Sequence, residues 1–177
     1  MKDVFLLWAR YNREANQKVY SLLTGMSNED RETDRSSYYG SLSSLFRHIL
    51  GGTSFFLGMF RSALPDRDQV QKTLAPLEGI ILPKDRLSEA QWNDLGAARE
   101  SLDRMLEDFA GLLADDDFRA PVKLGWYGGN PGSVPLHFLL HNLNAHGVHH
   151  RGQISQILDE LKIDNDYSGI NVQFLRP

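Results

Sequence analysis

Three of the chain's six histidines fall within five positions near its C-terminal end. Residues 146–153 read HGVHHRGQ, inside a stretch whose apolar residues recur at helical spacing. On a helix, imidazoles at positions i and i+4, here His146 and His150, lie on the same side and one turn apart. Neutral imidazole is a common protein ligand of zinc, nickel and similar ions. The spacing therefore predicts a metal site, for which the rest of the chain must supply further ligands.

The third ligand is expected to be His48, the one histidine outside residues 137–150. It lies beside an apolar stripe in a second helical segment, and helix bundles often build metal sites from facing helices. His48, His146 and His150 would then form a facial set of three nitrogens. The alternative is that the buried pair only satisfies hydrogen bonds, because unsatisfied buried polar groups cost roughly 1–3 kcal/mol each.

The remaining histidines are weaker candidates. His149 is rotated by about 100° from His150 on a helix, so it is expected at a dimer face, at the rim of the site or in solvent. His137 and His141 form a second i, i+4 pair, but they lie off the apolar stripe and are expected to be exposed or interfacial.

Three imidazoles leave positions on an ion for water or substrate, as catalytic zinc sites do, whereas structural zinc sites usually have four protein ligands. An ion held in this way can lower the pKa of bound water or polarise a substrate oxygen. The pattern therefore favours an enzyme over a structural site, but it assigns no catalytic residue and no reaction. The chain has no cysteine, so any thiol chemistry would need a small-molecule thiol.

Length and composition indicate one globular domain over residues 1–177. The net charge of −4 gives no electrostatic reason to expect nucleic-acid binding. No apolar run approaches the ~20 residues of a membrane helix, and the N-terminal apolar stretch is too short for a signal peptide. A cytoplasmic protein with a small-molecule substrate is therefore expected.

Helical periodicity predicts an all-α fold with four helices, at about residues 3–24, 41–63, 88–113 and 133–162. Serines at predicted helix starts and Ser88-Glu-Ala-Gln91, a capping-box pattern, support these boundaries. Residues 64–87 form a connector long enough to cross a bundle, so helices two and three could run parallel. The turn-rich segment 121–132, with its glycines and aromatic residues, either packs one end of the bundle or forms a lid.

The predicted inward stripes contain mostly aliphatic and aromatic residues. In helix one the stripe consists of Val4, Leu7, Trp8, Tyr11, Ala15, Val19 and Leu22 or Leu23. In helix four it consists of Leu136, Leu139, Leu143, His146, His150, Ile154, Ile157 and Leu161. Further apolar residues on these helices, Phe5, Leu6, Phe138 and Leu140, suggest a surface covered either by a second copy in a homodimer or by the C-terminal tail.

Several segments together resemble the DinB (DNA-damage-inducible) family. YNREAN at residues 11–16 resembles the opening YNxxAN motif, and SLSSLFRHIL at residues 41–50 resembles the histidine segment of the second helix. HGVHHRGQ is similar to NHxxHHRGQ, although Ala145 replaces the asparagine that usually precedes the first histidine. DYSGI at residues 166–170, followed by Phe174-Leu175, is similar to the family's ending.

The resemblance implies a four-helix bundle with a long crossover between helices two and three. It also implies a divalent ion, often zinc or nickel, bound by His48, His146 and His150, and a homodimer. Relatives in the wider superfamily are transferases or isomerases that use low-molecular-weight thiols. The leading hypothesis is therefore a metal-dependent transferase that activates such a thiol, with a metal-dependent hydrolase or a non-catalytic metal-binding stress-response protein as alternatives.

Overall fold

The computed structural model describes residues 1–84, 86–125, 132–170 and 174. These residues form an all-α fold, as predicted. The α-helices are α1 (Lys2–Thr24), α2 (Asn28–Glu32), α3 (Leu42–Ala63), α4 (Asp68–Leu74), α5 (Glu89–Leu112) and α6 (Leu136–Glu160). One short antiparallel ribbon joins β1 (Pro121–Lys123) to β2 (Ser133–Pro135), with Val122 opposite Val134.

The four long helices α1, α3, α5 and α6 correspond to the four predicted helices, and two of their starts are capped as expected. The Ser41 side chain accepts a hydrogen bond from the Ser44 N–H, and Ser88 forms a full capping box with Gln91. The predicted start of the last helix was wrong. Residues 133–135 pair with β1, and the extended backbone of Pro135 delays the helix until Leu136, whose N–H donates to the Ala120 carbonyl.

The connector between α3 and α5 contains α4 and the 3-10 turn Ala75–Gly79, and α4 buries Val70 and Leu74 against the core. Ring contacts fix the relative direction of the two helices it joins. Phe46 near the start of α3 lies 5.9 Å from Trp92 near the start of α5, measured between ring centroids. Phe60 and Phe109, near the opposite ends, stack at 5.4 Å. The two helices therefore run in the same direction.

The predicted stripe of α1 was correct along most of the helix, where Tyr11, Ala15, Val19 and Leu23 are buried, but it was wrong in the first turn. Val4 is half exposed, whereas Phe5 is buried against Phe118 and the ring of His141. Apolar residues surround this end of the helix, so periodicity alone chose Val4 in place of Phe5. In α6, Leu140 is buried although it was expected beside the inward set, and Leu161 is exposed at the helix end.

The C-terminal tail packs against α1 and α6. Phe174 is buried and meets Tyr11 edge-on at 6.3 Å, and the Tyr167 hydroxyl donates to the Arg151 carbonyl. Phe138 is half exposed. The expected lid concerned Trp126, Tyr127 and their neighbours, and residues 126–131 lie outside the described part of the chain.

Candidate metal centre

The two helices α3 and α6 bring His48, His146 and His150 together. One ring nitrogen from each lies within 4.8 Å of the others, and the Nε2 atoms of His48 and His146 are 2.9 Å apart. Two nitrogens bound to one zinc ion at about 2.1 Å would be about 3.4 Å apart in tetrahedral geometry. The 2.9 Å distance between His48 and His146 is below that value, and the 4.8 Å limit for all three nitrogens is above it. The three donors are therefore close enough to share one ion.

Gly52 of α3 provides the space for this arrangement, because it lies one turn after His48 and directly under the ring of His146. A methyl group at Gly52 would lie 2.5 Å from Cε1 and 2.9 Å from Nδ1 of His146. Because Gly52 has no side chain, α3 and α6 can approach closely enough for their histidines to meet. A larger residue at this position would clash with the His146 ring.

Hydrogen bonding sets the tautomer of His150. Its Nδ1 lies 2.7 Å from Oε1 of Gln153, and since an amide oxygen only accepts, Nδ1 carries the proton. The lone pair of the neutral ring is then on Nε2. Such a hydrogen bond from the far nitrogen is the usual way in which proteins orient histidine ligands. The sequence left the role of Gln153 open, and the structure shows it as the partner of His150.

The electrostatics of the cluster favour neutral imidazoles, which is the form that binds a metal. Burial lowers the pKa of His146 to about 4, and the nearby rings of His150 and His48 contribute to the shift. Burial also lowers the pKa of His48 and that of His150, although the Gln153 hydrogen bond opposes the shift at His150.

The donor set fits a divalent cation better than a purely hydrogen-bonded role. The Nε2 atoms of His48 and His146 face each other, and two neutral rings can share only one proton at such a contact. The Nδ1 atom of His146 is buried and has no hydrogen-bond partner among the described residues. These contacts therefore do not fit the alternative in which the buried histidines only form hydrogen bonds with backbone carbonyls or a carboxylate.

Tyr39 is a residue of the site that the sequence did not reveal. Its hydroxyl lies 2.9 Å from Nε2 of His48, its ring stacks on the His48 ring at 4.2 Å, and it meets the His150 ring at a nearly right angle. Burial, with a smaller contribution from Tyr38, raises the pKa of Tyr39. Tyr39 lies in the turn before α3, where no periodicity marks it as inward-facing.

The other three histidines are not members of the cluster. His137 is partly buried, and its Nδ1 lies 2.8 Å from the Phe118 carbonyl oxygen, a contact that the sequence did not predict. His141 is exposed with its ring against Phe5, and His149 is exposed beside His150. The described residues thus offer one histidine cluster, without a second site at His137 and His141.

A buried polar network behind the histidines connects α1, α5 and α6. The Nη1 group of Arg151 donates to the side-chain oxygens of Asn12 and Asn16 at 2.7 and 2.8 Å. The amide groups of the same two asparagines donate to Oδ1 of Asp103 at 3.2 and 2.7 Å. The two amides therefore bridge a guanidinium and a carboxylate, and they hold the helix turn that carries His150.

The charges of this network are almost fully removed from water. Asn16 and Asp103 have no exposed surface, and Arg151 also packs over the ring of Tyr11. Burial raises the pKa of Asp103 to about 7, while Asn16, Arg99 and Arg151 oppose that rise. The sequence feature that could have indicated this network is the i, i+4 spacing of Asn12 and Asn16 within the inward part of α1.

Comparison with known proteins places this all-α fold with its histidine cluster in a family. The family model described as the DinB family matches residues 1–161, so the chain belongs to the DinB family. No curated protein and no solved structure matches the chain. Within the described residues, none of the helices combines the length and apolarity required to cross a bilayer.

Proposed function

We propose that His48, His146 and His150 bind one divalent metal ion, zinc or nickel. The observation that carries this proposal is the convergence of three imidazole nitrogens within 4.8 Å of one another. Their lowered pKa values keep them neutral, and Gln153 fixes the tautomer of His150. Three nitrogen donors suit either ion, so the supply of metal contributes to which one is bound.

We further propose that the protein is a transferase for a low-molecular-weight thiol. A divalent ion in this site would supply a Lewis acid that favours the thiolate form of a small thiol at neutral pH. The chain itself has no cysteine, so the nucleophile would come from the co-substrate. The protein's own residues hold the donor nitrogens in place: Gln153 orients His150, and Gly52 allows His146 to approach His48.

Metal content of purified variants tests the ligand assignment. His48→Ala, His146→Ala and His150→Ala should each lose stoichiometric zinc or nickel after dialysis against trace metal. His137→Ala is the matched control, because its imidazole bonds to the Phe118 carbonyl and lies outside the cluster. It should keep full metal content even if the lost hydrogen bond costs about 1 kcal/mol of stability. Full metal content in His150→Ala would reject the assignment.

Cobalt substitution separates the enzymatic proposals from a non-catalytic role. In the transferase, the visible spectrum of the cobalt protein should change when a small thiol is added, because an exchangeable position exists. A metal-dependent hydrolase would respond to small anions and pH, but would not need a thiol. A spectrum that responds to none of these would support a non-catalytic metal-binding protein.

We also propose that the protein is a homodimer. Val4 on α1 and Phe138 on α6 are half exposed, which leaves apolar surface on two helices even after the tail covers Tyr11. A two-fold pairing of identical faces is the commonest way to cover such surface. Light scattering at micromolar concentration tests this, since a mass near the 20.1 kDa of one chain would reject the dimer.

A further inference from the structure

We propose that the hydroxyl of Tyr39 is a fourth protein donor to the ion, an inference that rests on the three-histidine metal site proposed above. Tyr39 Oη lies 2.9 Å from Nε2 of His48, and Nε2 of His146 lies 2.9 Å from the same atom. The phenol is therefore at the end of the His48 ring that faces the other histidines, where a shared ion would bind.

The local backbone holds Tyr39 in this position. The turn before α3 is closed by two hydrogen bonds, from the Arg35 N–H to the Gly40 carbonyl and from the Gly40 N–H to the Ser37 carbonyl. Gly40 has φ +74°, a left-handed conformation that glycine adopts at little cost. The stacked His48 ring, 4.2 Å away, further restricts the phenol. Tyr39 is thus placed by the fold and does not depend on a long flexible side chain.

The donor set around the histidines lacks a carboxylate. Among the described residues, the cluster consists of three histidines and contains no Asp or Glu. Tyr39 supplies an oxygen on the side that opens to a cavity of about 580 Å³. That cavity is lined by Tyr38, Tyr39, Ser44, Arg47, His48, Gly51, Leu82, Pro83 and Lys84. A small molecule entering from this cavity would meet Tyr39 and His48 first and would bind the ion either in place of the phenol or as a fifth ligand.

Copper substitution tests this proposal with a spectroscopic readout that does not depend on activity. A phenolate bound to Cu(II) produces a charge-transfer band in the visible region, which imidazole ligands alone do not. We expect this band in the copper-loaded wild-type protein and its loss in Tyr39→Phe, which keeps the ring that stacks on His48. Tyr38→Phe is the matched control, because Tyr38 is the adjacent tyrosine and is almost fully exposed.

Affinity for the metal provides a second readout. Tyr39→Phe should weaken zinc binding, measured by competition with a chelator, on the order of tenfold or more, whereas Tyr38→Phe should leave it unchanged. A visible spectrum and zinc affinity equal to those of the wild type in a folded Tyr39→Phe protein would overturn the role of Tyr39 and leave the three-histidine site intact. Failure of the wild type to bind copper or zinc stoichiometrically would instead overturn the metal site itself and this inference with it.

Discussion

Gly52 and His146 are in direct contact across the interface of α3 and α6, with the imidazole ring occupying the space where any other residue would have its Cβ. This contact determines how closely the two helices that carry the histidines can pack. It also gives a glycine far from any turn a definite role in the geometry of the proposed metal site.

Replacing Gly52 by alanine should therefore displace His146 and lower zinc affinity on the order of tenfold or more. Gly58→Ala is the matched control on the same helix, because nothing lies within 4 Å of the position that its Cβ would take. That variant should keep its affinity and gain about 0.5–1 kcal/mol of stability, as alanine in a helix does. Calorimetric titration with zinc measures the affinity of each variant, urea unfolding measures its stability, and equal affinities in the two variants would contradict the role of Gly52.

The hydrogen bond from His150 to Gln153 predicts a second effect on metal binding. Gln153→Ala should weaken zinc binding about 10- to 100-fold, because the ring loses the partner that fixes its tautomer and orientation. Gln156→Ala is the control, since this exposed glutamine of the same helix donates to Glu160 and is not part of the histidine cluster. If chelator competition gave both variants the wild-type affinity, Gln153 would have no part in the site.

In the metal-free protein, the contribution of His146 to stability should fall as the pH is lowered from neutrality toward 4, opposite in sign to that of buried Asp103, whose pKa is raised. The pKa of His146 is about 4 in the folded protein but about 6.5 in an unfolded chain. The unfolded state therefore binds more protons in this range. The contribution of neutral His146 to the free energy of unfolding is complete above pH 6.5 and is lost toward pH 4. Urea unfolding at several pH values measures the slope of the free energy of unfolding against pH. This slope should be smaller in His146→Ala than in the wild type.

The same shifts modify the expected pH dependence of metal binding. Protons compete with the ion for the imidazoles, and from ordinary histidines one would expect release near pH 6.5. Because burial lowers the pKa of His146 and His48, release should begin at a lower pH than it would for exposed histidines. Measuring bound zinc after equilibration at decreasing pH tests this, and complete release already near neutrality would contradict it.

The buried network predicts a strong effect of a residue that does not belong to the histidine cluster. Asn16→Ala removes hydrogen bonds to both Arg151 and Asp103 and should destabilise the fold by about 2–3 kcal/mol, since both charges remain buried. Gln17→Ala, an exposed change on the same helix, should stay within about 0.5 kcal/mol of the wild type. Comparable urea midpoints for the two variants would argue against the bridging role of Asn16.

Periodicity was sufficient to predict the long helices and the side of α6 that carries His146 and His150, because apolar residues at steps of three and four specify one inward face. It also placed His48 beside the apolar stripe of the second predicted helix. The resemblance to the DinB family, which the match to residues 1–161 confirms, selected the same three histidines independently.

The polar parts of the site were not predictable in this way. Asn12, Asn16, Asp103 and Arg151 are buried, but a search for apolar stripes leaves polar residues out. Tyr39 lies in an irregular turn, where side-chain direction follows from local hydrogen bonds and no repeat indicates it. The start of α6 was missed because residues 133–135, which the helical period included, pair with β1 instead.

The contact between His48 and His146 joins positions that are 98 residues apart in the chain. An unfolded chain cannot bring these two rings together without closing most of its length into a loop, which carries a large entropic cost. Any ion bound by both would therefore bind the native state almost exclusively and would stabilise it by about 2.7 kcal/mol at a free concentration 100 times the Kd. Metal scarcity would then lower the abundance of the protein, since the ion-free form would unfold and be degraded more often.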